Sequence, residues 1–429
     1  MSDLLRLATA GSVDDGKSTL VGRLLYDTKS VLADQIDAVT RASVDKGLAT
    51  PDLSLLVDGL RAEREQGITI DVAYRYFATP QRSFVLADTP GHVQYTRNTV
   101  SGASTAQLVI LLVDARKGVI EQTRRHAAVM ALLGVPKLVL AVNKIDLVDD
   151  AEVVFKQIVS EFGELTTKLG WADEDVVEIP VSALHGDNIA SRSDKTPFYD
   201  GPSLIEHLES VPVDADSTGS HQVGLRFPVQ YVIRPRTADY PDYRGYAGQV
   251  AAGVAHPGDE VVVLPSGTRT TIERIDTADG ELPSAQPGRS VTLLLADDVD
   301  ISRGDTIVAA ADAPEPIDSF DATVCWLGDK PLRAGARLLL KHGTRTTQAI
   351  VGGLIERFDE QRLSADPDPE SLSLNDIGRI SVRAAEPIAA DDYRVNRYTG
   401  SFLLIDPAGG NTLAAGLVGD VLTSVEVGN

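Results

Sequence analysis

The sequence has almost no cysteine, few aromatic residues and no long apolar run. Its 429 residues include one cysteine, Cys325, so no intramolecular disulfide can form. Cys325 stands in the apolar run ATVCWL, which predicts a buried small side chain rather than a reactive thiol. No stretch of about 18 apolar residues occurs, and no basic segment followed by an apolar one opens the chain. We therefore expect neither a membrane span nor a signal peptide, and a cytoplasmic protein.

Positive charge is also scarce, with 40 basic residues against 62 acidic ones and a formal net charge of −22. Such a surface repels the phosphate backbone of a nucleic acid unless a local basic patch compensates. The composition disfavours nucleic acid as a partner, although an acidic balance is also common in proteins that only need solubility. The length exceeds what one hydrophobic core fills and predicts two or three domains.

The first half of the chain alternates buried-strand runs with amphipathic helices. Runs that are nearly continuous in Leu, Val, Ile and Ala are typical of parallel strands. They are LLRLATAG, SFVLADT, QLVILLVDA and KLVLAVNK. The segments GKSTLVGRLLYD, EQTRRHAAVMALLG and AEVVFKQIVSEFGELTTKLG have helical periodicity. Right-handed crossovers bring the carboxyl ends of such strands to one edge of the sheet, where ligand-binding loops collect.

In the second half, short β-prone runs separated by turn formers replace this pattern. A polar segment, SVPVDADSTGSHQ, precedes them, and AADAPEPIDSF separates two groups of them, the second ending on DVLTSVEV. We predict an α/β domain over residues 1–213, with a mostly parallel sheet flanked by helices and, at residues 11–18, the pattern G-x-x-x-x-G-K-[ST] of a P-loop G domain. Two antiparallel β-barrel domains follow, over residues 220–312 and 316–429.

A glycine-rich motif lies between the first predicted strand and the first predicted helix. It fits the phosphate-binding pattern G-x-x-x-x-G-K-[ST] in the context that this pattern requires. Its glycines let backbone N–H groups point at phosphate oxygens, Lys17 neutralises the β- and γ-phosphates, and the Ser18 hydroxyl is a predicted Mg²⁺ ligand. The predicted nucleotide contacts here are Gly11, Ser12, Val13, Asp14, Asp15, Gly16, Lys17, Ser18 and Thr19.

Two further strands end on residues that suit the metal and the base. Asp88 follows the strand SFVLA and is predicted to hold Mg²⁺ through water, while the Gly91 N–H contacts the γ-phosphate. Asn143, Lys144 and Asp146 form an N-K-x-D motif after KLVLAV. The Asp146 carboxylate can accept two hydrogen bonds from guanine, and adenine lacks both donors.

A third motif, Ser182, Ala183 and Leu184, follows the strand VVEIPV and is predicted to supply a backbone N–H to guanine O6. Each of these motifs is short and weak alone. Together and in order, each at the end of a strand, they predict that the ligand is GTP or GDP.

The glycine-rich loop of residues 11–18 is called the phosphate loop below. The segment REQGITID, residues 64–71, ends a long polar insertion between the phosphate loop and Asp88. Thr69 is the predicted second hydroxyl ligand of Mg²⁺, and loss of the γ-phosphate would release it. His92 stands where many small GTPases have a glutamine, so we predict that it orients the attacking water. His92, Lys17 and Thr69 are the candidate catalytic residues. The other histidines lack ligand-like spacing and are predicted to be surface or capping residues: His126, His185, His207, His221, His256 and His342.

Taken together, G-x-V-D-x-G-K-S, REQGITI, D-T-P-G-H and N-K-I-D resemble the translation elongation factor class of GTPases, whose architecture is a G domain with two β-barrels. Longer segments resemble the large GTPase subunit of bacterial sulfate adenylyltransferase (ATP sulfurylase) more closely. They are GSVDDGKSTLVGRLLYDTK, HVQYTRNTVSGAST, DARKGVIEQTRRH, PVQYVIRP, RGYAGQVAAG and NRYTGSFLLID. A translation factor that binds charged tRNA is the alternative.

The closer resemblance implies a small catalytic subunit as the partner, in a heterodimer or a larger assembly. That partner makes adenosine 5′-phosphosulfate and pyrophosphate from ATP and sulfate, and GTP hydrolysis drives the step. Asp14 matches a position that holds a monovalent cation in some related GTPases, with an exposed loop carboxylate as the alternative. Some relatives carry a fused adenylylsulfate kinase domain with a second phosphate loop. This sequence has no second loop, so we expect either the unfused type or a trimmed chain.

Overall fold

A computed structural model describes residues 3–45, 47, 51–57, 72–91, 96–212, 223–235, 242–359, 362 and 364–421. The chain divides into two compact units. Residues 1–213 make up the bulk of the first unit, and residues 214–358 and 365–423 make up the second. The domain boundaries given above stay a prediction.

The first unit is built on a six-stranded sheet in the order β2-β3-β1-β4-β5-β6. Its strands are β1 (Asp3–Gly11), β2 (Ala73–Ala78), β3 (Arg82–Asp88), β4 (Leu108–Asp114), β5 (Lys137–Asn143) and β6 (Val176–Pro180). All neighbours pair in parallel except β2, which runs antiparallel to β3 at the edge. Every residue of the central strand β4 is buried, as its unbroken apolar run predicts.

Six α-helices of this unit lie in the described ranges: α1 (Lys17–Asp27), α2 (Ala33–Asp45), α3 (Thr96–Ala103), α4 (Glu121–Leu132), α5 (Ala151–Lys168) and α6 (Leu204–Ser210). Short 3₁₀ turns occupy Leu53–Leu56, Ile145–Leu147 and Asp173–Asp175. Helix α6 starts at a capping box in which Ser203 and Glu206 exchange side-chain and backbone hydrogen bonds. Helix α2 was not predicted, because its segment has the composition of a polar insertion.

The second unit contains two barrels of six strands each. In the first, the sheet order β11-β10-β12-β8-β7-β13-β9 is closed by pairing of β9 with β10, which leaves β11 as an addition to β10. Its strands are β7 (Arg226–Ile233), β8 (Gly245–Gln249), β9 (Glu260–Leu264), β10 (Thr268–Thr277), β11 (Gly280–Glu281), β12 (Ser290–Leu295) and β13 (Thr306–Ala309). Closure gives every main strand a hydrogen-bonded neighbour on both sides.

The second barrel closes in the same way, through pairing of β15 with β16, in the order β15-β19-β20-β14-β18-β16-β17. Its strands are β14 (Ile317–Trp326), β15 (Arg337–His342), β16 (Arg345–Asp359), β17 (Ser364–Pro367), β18 (Ile377–Ile388), β19 (Ser401–Ile405) and β20 (Thr412–Val418). The predicted fold class, an α/β domain followed by two antiparallel barrels, is confirmed. Strand β14 begins inside the predicted second linker, β20 was not predicted, and most of DVLTSVEV lies outside the described residues.

A buried ion pair joins the two barrels within the second unit. Arg226 on β7 has a side chain that is only 3% exposed, and its Nε and Nη2 donate to the two carboxylate oxygens of Asp391, each at 3.1 Å. Thr399 donates its hydroxyl to the same carboxylate at 2.6 Å, and the carbonyl of Asp312 accepts from Arg226 at 2.9 Å. This planar, bidentate geometry gives both charged groups hydrogen-bond partners in a place that water does not reach.

None of the described helices combines the length and the apolarity that a membrane span requires.

Candidate nucleotide-binding site

The phosphate loop connects β1 to α1 through left-handed backbone conformations. Gly11 has φ 145° and Gly16, which caps α1, has φ 95°. A Cβ on Gly11 would lie 2.8 Å from the carbonyl oxygen of Leu112, and one on Gly16 would overlap the Asn143 amide. Only glycine fits either position, because both the φ values and the close approach exclude a side chain. The sequence motif therefore builds the predicted loop at the predicted place.

Lys17 lies inside this loop, with 7% of the residue exposed. Its Nζ donates to the carbonyl oxygens of Gly11 and Ser12, both at 2.8 Å. Burial lowers the pKa of the Lys17 ammonium, and the carboxylates of Asp88 and Asp15 oppose that shift. The ammonium group is thus held by carbonyl acceptors of the loop and by the charges of nearby carboxylates.

Asp15 is a buried carboxylate that shapes the loop from within. The Ser12 N–H donates to its Oδ2 at 2.6 Å. Burial raises the pKa of Asp15, although the Ser12 hydrogen bond and the charge of Lys17 act in the opposite direction. Its carboxylate is engaged by the loop's own backbone.

Asp88 ends β3 directly beside β1. It is fully buried, and the Thr9 hydroxyl donates to its Oδ1 at 2.8 Å. The next residue, Thr89, donates its own hydroxyl to the Thr9 carbonyl at 2.6 Å. A Cβ on Gly91 would overlap Lys17 Nζ and lie 2.7 Å from the Gly11 carbonyl oxygen. The D-T-P-G segment and the phosphate loop are therefore brought together, as the sequence predicts.

Asn143 connects the phosphate loop to the S-A-L segment. Its Nδ2 donates to the Asp15 carbonyl at 2.7 Å, and its Oδ1 accepts from the Ala183 N–H at 2.9 Å. Both ends of the buried amide are thus used within the protein. Asn143 fixes the positions of these two loops relative to each other, a role that the N-K-x-D motif alone does not specify.

Asp114 and Arg116 were not predicted to be site residues. Together they hold the side chain of the neighbouring Lys144 in place. The Asp114 carboxylate accepts from Arg116 Nε at 2.9 Å and Nη2 at 2.6 Å, and it lies 3.0 Å from Lys144 Nζ. Although burial raises the pKa of Asp114, hydrogen bonds from Arg116 and Lys144 hold it well below its ordinary value. Lys144 also donates to the Asp14 carbonyl, so this buried anion braces the rim of the phosphate loop.

Asp146 lies next to the loop that follows β6. Its Oδ2 is 3.6 Å from His185 Nε2. On the other side of this loop, Arg23 of α1 donates to the carbonyl oxygens of Ala183, at 3.2 Å, and Leu184. The two motifs predicted to contact the base therefore adjoin each other, and Arg23 is a further support that sequence reasoning missed.

The prediction of surface or capping roles is wrong for His126 and His342. His126 on α4 is buried, its Nε2 lies 3.0 Å from Gln122 Nε2, and its ring hydrogen-bonds the backbone of Gly91. Burial, with the charge of Lys17 second, lowers the pKa of the His126 imidazole to about 3, so the ring is neutral. His342 is buried in the second barrel, with Nε2 2.6 Å from the Thr399 carbonyl oxygen. Helical periodicity places His126 on the apolar face of its helix, and strand alternation places His342 on the apolar face of its strand. These two patterns could have predicted that both side chains are buried.

Thr69 and His92 lie outside the described residues, so their roles stay predictions.

Comparison with known proteins agrees with this geometry. The family described as the elongation factor Tu GTP binding domain matches residues 2–217, and the GTP-eEF1A C-terminal domain-like family matches residues 319–419. The bifunctional enzyme CysN/CysC of Mycobacterium tuberculosis H37Rv is 55% identical over 419 residues, which are 97% of this chain and 67% of that protein.

Sulfate adenylyltransferase subunit 1 of Bacteroides fragilis is 48% identical over 97% of this chain and 86% of its own length. The protein of the same name from Yersinia enterocolitica is 49% identical over 98% of this chain and 87% of its own length. With about half of its residues shared over nearly its whole length, this chain belongs to the sulfate adenylyltransferase subunit 1 family and has a GTP-binding domain of the elongation factor Tu type.

Proposed function

We propose that this chain is the GTPase subunit of a sulfate adenylyltransferase. Its hydrolysis of GTP drives a partner subunit to form adenosine 5′-phosphosulfate and pyrophosphate from ATP and sulfate. The observation that carries this proposal is the 48–49% identity to proteins named as subunit 1 of that enzyme, over 97–98% of the chain. Coupling requires that the catalytic subunit bind the GTP and GDP forms with different affinity, because a ligand shifts an equilibrium only by its differential affinity.

The phosphate end of GTP is assigned to the loop between β1 and α1. Lys17 exchanges its two carbonyl partners for β- and γ-phosphate oxygens, and the N–H groups of the loop and of the start of α1 complete the cradle. Gly91, which approaches Lys17 and the Gly11 carbonyl, contacts the γ-phosphate. The proposed contacts in the loop are Gly11, Ser12, Val13, Asp14, Asp15, Gly16, Lys17, Ser18 and Thr19.

Oxygen donors at this end of the sheet fit Mg²⁺. Ser18 is the second residue of α1, and the Asp88 carboxylate, whose Oδ1 accepts a hydrogen bond from Thr9, ends β3. A hydroxyl and a carboxylate that binds through water are ligands that Mg²⁺ accepts, with Thr69 as the predicted third. When bound, the ion neutralises charge on the β- and γ-phosphates. A monovalent cation at Asp14 would depend on the exposed carboxylate, because Lys144 already donates to the Asp14 carbonyl.

The base is assigned to Asp146 and the S-A-L segment. Of the three N–H groups in that segment, Ser182 donates to the Asp187 carbonyl at 3.2 Å and Ala183 donates to Asn143. We therefore assign the contact with guanine O6 to the Leu184 N–H. Asn143 and Lys144 act by positioning, through the contacts that fix the neighbouring loops.

A turnover assay tests the function directly. Adding the cognate catalytic subunit is expected to raise the rate of GTP hydrolysis, and ATP with sulfate is expected to change that rate further. If neither addition alters GTP turnover, the proposal is wrong. The alternative of a tRNA-binding translation factor rests only on the shared elongation-factor-type domains. It is less supported, because the relatives reported above are named for sulfate adenylyltransferase and the net charge is −22.

The variant His92→Ala is expected to slow GTP hydrolysis by about 10²-fold or more while GTP affinity stays near that of the wild type. The reason is that a residue that orients the attacking water contributes to the transition state and not to ground-state binding. Single-turnover hydrolysis and calorimetry separate the two effects. The control is His256→Ala, which changes an exposed histidine of the first barrel, paired with Asp259. Equal losses of binding and hydrolysis would assign a structural role to His92.

A further inference from the structure

Strand β2, at the edge of the first sheet, presents two tyrosines to solvent. Tyr74 and Tyr76 are 45% and 72% exposed. The alternate residues face the protein interior, where Phe77 stacks on Phe84 with ring centroids 4.6 Å apart. Within the described part of the chain β2 pairs only with β3, so β2 is the edge strand and its outer backbone groups have no strand partner among the described residues.

The tyrosines continue into an apolar surface on the neighbouring strands. The register places Tyr76 opposite Val85 on β3, and Val85 opposite Arg6 on β1, so these three side chains share one face of the sheet. Leu4, two residues from Arg6, is 39% exposed. A cavity of about 420 Å³ opens on this face between the strands and the end of α3. Leu4, Arg6, Tyr74 and Tyr76 are called the tyrosine face below.

The tyrosine face carries the positive charge of Arg6. Among the described residues, no carboxylate lies within ion-pair distance of the Arg6 guanidinium, in a protein with a net charge of −22. Tyr and Arg are the residue types that contribute most to protein interfaces, and a contiguous exposed apolar patch usually marks one. The complementary surface is therefore apolar with an acidic side chain.

The floor of the cavity packs against the D-T-P-G segment and against Val72. A Cβ on Gly102 of α3 would lie 2.7 Å from Thr89 Cγ2 and 3.4 Å from Val72 Cγ1. Thr89 belongs to the D-T-P-G segment, and Val72 directly follows the REQGITID segment. Because Gly102 leaves no room for a side chain beside Thr89, we expect a shift of the D-T-P-G segment to move the cavity floor next to the tyrosine face.

We infer that the tyrosine face is the docking surface for the catalytic subunit and that it reports the state of the bound nucleotide to that subunit. The inference rests on the proposed function. The partner places an apolar side chain over Tyr74 and Tyr76 and a carboxylate at Arg6. The open edge of β2 offers backbone hydrogen bonds to the same partner.

The variants Tyr76→Ser and Arg6→Glu test this inference through the dissociation constant of the catalytic subunit, measured with the GTP analogue GMPPNP bound. Each is expected to weaken binding at least about tenfold, because each removes a central interface contact or reverses its charge. GTP affinity and GTP turnover without the partner are expected to stay unchanged. Tyr231→Ser, which removes a tyrosine 66% exposed on β7, is the matched control.

Unchanged binding by both variants would overturn the inference and leave the proposed function standing. Failure of the wild-type chain to bind the catalytic subunit would overturn both. If Tyr76→Ser instead abolishes self-association in sedimentation experiments with subunit binding intact, the surface belongs to a second copy of this chain and the inference is wrong. A photoreactive phenylalanine at position 76 gives a second readout, and a cross-link to the catalytic subunit is expected.

Discussion

Replacing Asp146 with asparagine is expected to lower the affinity for GTP by about 10³-fold or more and to shift preference toward xanthosine triphosphate. A carboxylate accepts hydrogen bonds from guanine N1–H and the 2-amino group, whereas an asparagine amide donates to the carbonyl that xanthine has in place of that amino group. The change leaves the size of the side chain and the neighbouring His185 in place. Calorimetry with GTP, xanthosine triphosphate and ATP measures the switch.

The control for this experiment is Asp149→Asn, which makes the same chemical change at an exposed position three residues further on. It is expected to leave all three affinities as they are. Unchanged GTP affinity in Asp146→Asn would show that another group reads the base, and the assignment of guanine specificity to the N-K-x-D motif would be wrong.

The variant Arg226→Leu is expected to lower the free energy of unfolding of the second unit by about 3–5 kcal/mol. Of the donors to the buried Asp391 carboxylate found in the described ranges, the substitution leaves only the Thr399 hydroxyl, and an uncompensated buried charge is costly. The chain has two tryptophans, Trp171 in the first unit and Trp326 in the second. In a Trp171→Phe background, the fluorescence of Trp326 reports urea unfolding of the barrels alone.

Two controls separate charge burial from loss of packing. The double variant Arg226→Leu with Asp391→Leu removes both charges and is expected to recover part of the lost stability. Arg274→Leu breaks an ion pair with Asp276 in which the arginine is 38% exposed, so it is expected to cost less than about 1 kcal/mol. If Arg226→Leu is no more destabilising than Arg274→Leu, the ion pair does not stabilise the barrels.

The parts of this molecule that were predictable from sequence are those in which one local pattern has one structural solution. Unbroken apolar runs predicted β1, β3, β4 and β5, because only a strand covered on both faces buries such a run. The spacing of Gly11, Gly16 and Lys17 predicted a loop whose backbone conformation few other residues adopt. The order of the four nucleotide motifs then predicted the edge of the sheet at which they meet.

What the sequence did not reveal depends on contacts between distant segments. Strand β20 is rich in glycine and alanine, so it lacks the β-propensity that marks its neighbours. The histidine residues His126 and His342 carry no local sign of their partners, Gly91 and Thr399, which other segments supply. The barrels also depend on pairings between strands that are far apart in the sequence, such as β7 with β13 and β14 with β20. The support of Lys144 by Asp114 likewise joins two strands that are neighbours only in the folded sheet.

The Asn143 amide has a consequence for how a nucleotide would leave. One planar group holds the Asp15 carbonyl on one side and the Ala183 N–H on the other, at 2.7 and 2.9 Å. Because both hydrogen bonds belong to one rigid amide, we expect a displacement of the loop proposed to hold the phosphates to move the loop proposed to hold the purine as well. We then expect both loops to open together when the nucleotide dissociates. A displacement of α1 or of the turn after β6 would be enough to open the pocket.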